Sequence, residues 1–288
     1  MRPVLRPGSP LLRRDADHLQ LGTEPGHALV VAAHDAVADL LCGLDGVRTV
    51  DDPTLDAPLV DALLAAGVVV DSDVWRTESG LESEAAHLLT RGVDGAVARA
   101  QLARRRTATV RIIGDSSLGA SVADLLTASG VGSVASATAP TSGLDLVILA
   151  GEGETAREIG DECLRVDVPH LVTATRDGCG VVGPLVRPGR TACLRCIDAA
   201  RSSVDAAWPA IVAQLERPLA AASASLVRAV SAVLDAAVAV LTVRDALAHL
   251  AAEPTLTGGA TIRVGPDLAD LRRRHWPLQP RCGCAPLT

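Results

Sequence analysis

Phenylalanine, tyrosine, lysine and asparagine are absent from the 288 residues, and every basic side chain is arginine. Without lysine there can be no Walker-type lysine, no Schiff base and no lysine clamp on a phosphate. All four missing amino acids use A/T-rich codons, so a GC-rich genome accounts for the skew. No stretch stays apolar for the ~20 residues a membrane span needs. The most apolar region, 219–243, is broken by Arg228 and Asp235 and reads as a buried helix. The first residues, "MRPVLRPGSPLLRRD", lack the apolar run of a signal peptide, so the cytoplasm is the expected location, with no membrane contact.

What is present is a soluble, globular composition, 48% hydrophobic and 21% charged, with a formal net charge of −7. Residues 1–80 hold six Arg against thirteen acidic residues and carry the whole deficit. Nucleic-acid affinity rests on neutralising phosphates, so a nucleic-acid partner is not expected.

The first 80 residues read as one small module. "PLLRRDADHLQLG" and "HALVVA" are two strands around a Glu-Pro-Gly turn at 24–26. "HDAVADLLCGL" places Val37, Leu40, Leu41 and Leu44 at helical spacing. A second helix carries Leu59, Leu63 and Leu64 on one face and stops at Gly67, and "VVVD" closes the unit as a strand. That order is the outline of a winged-helix module. Residues 81–106 are expected to form one connecting helix ending in a solvated "ARRRTA".

From 107 to 288 the pattern changes to strand, glycine turn, helix, strand, repeated: "TVRIIG", "ASVADLLTASG", "VGSVAS", "LDLVILAG", a helix over 154–166, then "HLVTAT" and "GVVGPLV". This predicts an α/β domain with a mainly parallel sheet. A long helix over 219–251 and a late strand, "ATIRV", complete it.

Two features carry chemistry. The turn Gly114-Asp115-Ser116-Ser117-Leu118-Gly119 sits between strand and helix, where a nucleotide loop belongs. Gly114 and Gly119 fit, but Ser116 stands where the middle glycine should be, and "VGSVASATAPTSG" has no acidic residue to hold a ribose. A tight turn kept for packing is the competing reading. The second feature is the cysteines, seven in all. Cys193-x-x-Cys196 and Cys282-x-Cys284 supply four thiols in two tight pairs between prolines, enough for a closed tetrahedral zinc site. A redox Cys-x-x-Cys is the rival and leaves the second pair unexplained. Cys42, Cys163 and Cys179 are expected to be inert core thiols. Trp208 and Trp276 are expected to be packing anchors.

"TVRIIGDSSLGASVADLLTASGVGSV", "VGPLVRPGRTACLRC", "AWPAIVAQL" and "PRCGC" together resemble the ThiF-like adenylating superfamily, which includes activators of ubiquitin and of sulfur-carrier proteins. The likeness, over 107–284, is to the branch serving cyclodehydratases of thiazole- and oxazole-modified microcins, usually partnered with a YcaO protein. It implies a Rossmann-type ThiF-like sheet behind an N-terminal winged-helix module similar to PqqD that binds a precursor's leader peptide. It also implies structural zinc on Cys193, Cys196, Cys282 and Cys284, and an ATP loop at Gly114, Ser116, Ser117 and Gly119, where both serines depart from its glycines. The superfamily's Asn-x-x-Arg element and ATP-site lysine have no counterpart in a chain without Asn or Lys.

The first expectation is therefore a scaffold with no catalytic residue, presenting a leader peptide to a YcaO-type partner. The leader would add as a strand along Ala28, Leu29, Val30 and Val31, with Leu59 and Leu63 in a groove against the third helix, or else as plain core. The alternative is an active ATP-dependent activator of a carboxyl terminus. A homodimer is expected from the superfamily's habit.

Overall fold

The computed structural model describes residues 1–26, 28–51, 57–75, 81–114, 116–215 and 231–284. The chain divides into two compact units, Met1–Ala103 and Arg104–Thr288.

The first unit opens with β1 (Pro3–Leu5), β2 (Leu11–Arg13), β3 (His18–Leu21) and β4 (Leu29–Ala32). Then come α1 (Asp35–Gly43), α2 (Ala57–Ala65), β5 (Val69–Asp71) and the single turn α3 (Ser72–Trp75). β2, β3 and β4 form an antiparallel sheet in that order, and β1 pairs with β5. The stretch expected as a single strand before the Glu-Pro-Gly turn is itself a hairpin. The Asp15 carboxylate accepts from the Asp17 N–H at 2.9 Å and meets the His18 ring at 2.8 Å, an Asx turn that folds the chain back. Leu19 and Leu21 of β3, Leu40 and Leu41 of α1, and Val60 and Leu63 of α2 meet in one core.

The expected connecting helix is two helices, α4 (Glu82–Thr90) and α5 (Gly95–Thr107). Gly92, at φ +80°, ends the first, and the Asp94 carboxylate caps the second by accepting from the N–H groups of Ala96 and Val97 at 2.9 and 3.2 Å. Of the arginine run, Arg104 and Arg106 are exposed as expected and Arg105 is buried.

The second unit runs β6 (Thr109–Ile113), α6 (Ser117–Ala128), β7 (Ser133–Ser136), β8 (Leu146–Ala150), α7 (Glu154–Arg165), β9 (His170–Arg176) and β10 (Cys179–Val186). It continues with α8 (Leu194–Ser202), α9 (Trp208–Gln214), α10 (Ala232–Leu250), β11 (Ala260–Val264) and β12 (Leu271–His275). The expected helix over 219–251 is described from Ala232; residues 216–230 lie outside the described residues. The seven strands stand in the order β12-β11-β10-β9-β8-β6-β7. β7, β6, β8 and β9 are parallel, the Rossmann-type half, while β10, β11 and β12 extend the sheet as an antiparallel meander. Covered on both faces, β8 is a continuous apolar run, "LVILA", with every residue buried. α6 and α10 pack on one face through Val122, Leu126, Val238 and Val243; Cys163 of α7 packs on the other against Val147 and Leu149. Among the described residues no helix is long and apolar enough to cross a membrane.

His170, at the start of β9, is fully buried, and its Nε2 has no hydrogen-bond partner among the described residues. Burial lowers its pKa from 6.5 to about 4. Between those values the unfolded chain binds a proton that the folded chain refuses, so stability falls as pH drops from 7 toward 4, by about 3 kcal/mol. Denaturant midpoints across that range should decline in the native protein and less steeply in His170→Leu, where the half-buried His249 still contributes; parallel curves would remove His170 as a cause.

Candidate functional site

The four paired cysteines converge. Cys193 sits at the N-cap of α8, with extended backbone, and Cys196 lies in its first turn. Gly283, at φ +76°, folds the Cys282-Gly283-Cys284 knuckle back on itself, and the N–H of Gly189 donates to the Cys284 carbonyl at 3.2 Å, tying the knuckle to the loop before α8. The sulfur separations are 3.9 Å for Cys193–Cys196, 3.4 Å for Cys193–Cys282 and 3.4 Å for Cys196–Cys284, and all four sulfurs lie within 4.8 Å of one another. A tetrahedral ion with metal–sulfur bonds of 2.3 Å needs sulfurs about 3.8 Å apart, so the cluster is the right size to hold a metal ion. Its apolar surround is small: Val186, Ala192, Ile197 and Trp276, with Leu164 and Ala200 at the margin.

The surroundings act on the thiols in both directions. Burial raises Cys193, and raises Cys284 to about 12. Burial also opposes ionisation of Cys196, but the N–H of Gln279, at 3.4 Å, and that of Cys193 hold it below the usual thiol value. The α8 N-terminus adds a favourable field for thiolates. Of the remaining cysteines only Cys163 is a buried core thiol, pushed up to about 12 by burial and by Glu162. Cys179 is half-exposed and accepts from Arg263 at 2.8 Å; Cys42, contrary to expectation, is exposed, because Leu40 and Leu41 take the buried face of α1.

The glycine turn lies where the sequence put it, between β6 and α6. Gly114 has φ +125°, and a Cβ there would stand 2.3 Å from the Ala150 carbonyl oxygen, so this glycine is required by packing against β8. Ser116 is the N-cap of α6, and its hydroxyl accepts from the Gly119 N–H at 3.1 Å. That amide is thereby occupied by the chain itself. The Ser117 hydroxyl donates to Asp235 of α10 at 2.7 Å, and the Thr175 hydroxyl to the other oxygen of the same carboxylate at 2.7 Å. Asp235 is 5% exposed. The space beside the turn, bordered by Ser116, Ala150, Thr175 and Asp235, is about 120 Å³. Small-molecule sites usually need ~300 Å³ or more. The buried Asp235 carboxylate lines that space.

In the first unit, among the described residues, β4 is an edge strand, bonded to β3 alone. Leu29 and Val31 point into the core, whereas Val30 is 42% exposed. Ala28 precedes the strand, its N–H bonded to the Glu24 carbonyl at 2.8 Å. Leu63 is 5% exposed and part of the core; Leu59 is partly exposed at its margin. The structure thus gives Leu63 the plain-core role.

No protein-family model matches the sequence, and no curated protein matches it. Solved structures do. E. coli MccB, crystallised with AMPCPP and MccA, superposes with a TM-score of 0.69 at 14% identity, covering 99% of both chains. The chain shares its fold with MccB. It matches equally well the heterocyclase TruD, with a TM-score of 0.71 at 17% identity over 99% of this chain and 43% of that one. A heterocyclase in complex with substrate and cofactor gives 0.72 at 16% identity, over 98% and 39%. The chain therefore spans about two fifths of these heterocyclases and the whole of MccB. The resemblance read from the sequence is borne out at the level of the ThiF-like fold.

Sequence reasoning missed one group of residues entirely. Arg157 of α7 forks onto Asp198 of α8 with contacts of 2.6 and 2.7 Å, and Trp208 donates to the same carboxylate at 2.8 Å. Nothing in the local spacing of residues 157 and 198 announces this pair.

Proposed function

We propose that the chain is the precursor-binding component of a ribosomal-peptide cyclodehydratase system. It holds a leader peptide on its N-terminal winged-helix module and presents the peptide to a YcaO-type partner. The observation that carries the reading is the edge of β4, a short antiparallel strand that among the described residues pairs with β3 alone and leaves Val30 exposed. Extended peptides bind such edges by main-chain hydrogen bonds, with alternate side chains setting specificity. The heterocyclase likeness supports the pathway. The chain spans about two fifths of those heterocyclases, and the reading assigns the cyclising activity to the YcaO-type partner.

The cysteine cluster serves this role as a structural zinc site. All four positions are taken by thiolates, so none is open to substrate or water. We place no chemistry at the glycine turn: Asp235 faces it, Ser116 occupies its amide, and the chain has no Lys or Asn. The competing reading, ATP-dependent activation of a carboxyl terminus, has the MccB likeness in its favour.

Two measurements separate them. A fluorescent leader peptide from a neighbouring precursor gene, titrated into the full chain, should bind saturably. Pyrophosphate exchange with ATP and the precursor should stay at background. Exchange that depends on the peptide's free C-terminus would establish the activator instead.

A further inference from the structure

Asp235 stands in the first turn of α10, buried beside the C-terminal ends of β8 and β9. One of its oxygens accepts from the Ser117 hydroxyl and the other from the Thr175 hydroxyl, both at 2.7 Å. Neither partner carries charge, and among the described residues the carboxylate makes no ion pair. Arg176, the next residue along β9, belongs to the opposite face of the sheet, where Glu152 holds it at 2.7 Å. The remaining walls of the space are Ser116, Leu118, Ala150, Gly151 and Ala174, none of them charged.

A buried carboxylate is ordinarily paired with a cation or bound to a metal, because removal from water penalises its charge. The field of the α10 N-terminus is equivalent to roughly half a positive charge, so it offsets only part of the deficit. Each hydroxyl that donates to Asp235 keeps two lone pairs on its own oxygen. The space of about 120 Å³ is too small for most organic ligands, yet it equals about four waters at ~30 Å³ each. An ion with part of its water shell fits that volume. Ser117 is exposed, which leaves the space open to solvent.

We infer that the space beside Asp235 is a site for one monovalent cation, sodium or potassium, held by the carboxylate and the hydroxyl oxygens of Ser117 and Thr175. The donor set contains oxygen alone, with no sulfur or imidazole, which suits a hard ion and not a transition metal. A single carboxylate matches one positive charge. Calcium takes six to eight oxygens with several carboxylates among them, and magnesium demands an octahedral shell, so a divalent ion would exceed both the charge and the ligands on offer. A bound cation would tie the start of α6 and the end of β9 to α10, the three elements that meet at this carboxylate. The inference does not depend on leader binding, because all its residues belong to the second unit.

Thermal melting of the full chain tests this, followed by tryptophan emission, to which the second unit contributes Trp208 and Trp276. At constant chloride and ionic strength, choline is replaced stepwise by sodium or by potassium; choline's quaternary nitrogen admits no close oxygen ligand. Magnesium is titrated at matched ionic strength. The expected result is a saturable rise in melting temperature with sodium, potassium or both, reaching about 4 °C at ten times the midpoint concentration. The ion with the lower midpoint is the occupant. D235N removes the charge and should lose the rise. If D235N does not fold by circular dichroism, T175V carries the test: it keeps the carboxylate, removes one oxygen ligand, and should raise the midpoint at least about threefold. No saturable rise with either ion, an undiminished rise in the folded variant, or a lower midpoint for magnesium than for both overturns the inference.

Discussion

Serine in place of Cys282 is expected to strip zinc from the chain. The native protein should keep about one zinc per chain through dialysis against metal-free buffer, and Cys282→Ser should keep less than about a tenth of that. The site joins the first turn of α8 to a knuckle 86 positions beyond Cys196, and little else closes that corner, since its apolar cluster is limited to a few side chains. Zinc-finger peptides gain ~10–16 kcal/mol from the metal; here the sheet has its own core, so a loss of about 4 kcal/mol is the expected share. For a unit of this size that lowers the melting temperature by about 10 °C. The first unit, with a separate core around Leu21, Leu41 and Val60, should keep its own transition. Burial holds Cys193 and Cys284 above the usual thiol value, so metal uptake must displace their protons, and acid should release the ion. A native chain that is metal-free and equally stable would sink the assignment.

The cysteines were legible because a metal site advertises itself locally: two tight pairs, a glycine in one knuckle, prolines around them. The parallel strands were legible for a similar reason, since burial on both faces forces runs such as "LVILA". β12 was not. "LRRRH" is exposed at all five positions and has no apolar alternation; it is a strand only because β11 lies beside it, pairing Ala260 with His275 through Val264 with Leu271. The break at residues 91–94 was written in Gly92 and Asp94 but was outweighed by the helical residues on either side.

The glycine turn shows a different limit. Ser116 was visible as a departure from a nucleotide loop, and the choice between loop and packing turn stayed open. The group that bears on the choice is Asp235, which reaches Ser117 across 118 positions. It lies on a buried helix, where an isolated acid reads as an interruption of an apolar run. The same distance blindness hid Arg157 and Asp198: each is an ordinary charged residue on an amphipathic helix until the fold gathers them.

Val30→Pro should weaken leader binding sharply while leaving the protein folded. The Ala33 N–H bonds to the Asp17 carbonyl, and the register pairs Val31 with Leu19 and Leu29 with Leu21. Antiparallel pairs alternate, so the Val30 N–H points away from β3, toward the open edge. Proline there removes a donor the sheet does not use and sets its ring in the path of an added strand. With Val30 already 42% exposed, the cost in stability should stay under about 2 kcal/mol. Losing one main-chain bond and displacing its neighbours should weaken the leader by about 30-fold or more. Val30→Thr keeps the backbone intact and should bind within about twofold of the native chain. Arg13→Pro makes the matching change on β2, the opposite edge, where the bonded pairs Arg14–His18 and Gly22–Pro10 leave the Arg13 N–H free. It should leave binding unchanged. If Arg13→Pro were the variant that failed, the leader would run along β2, and the exposed face of β4 would have no part in recognition.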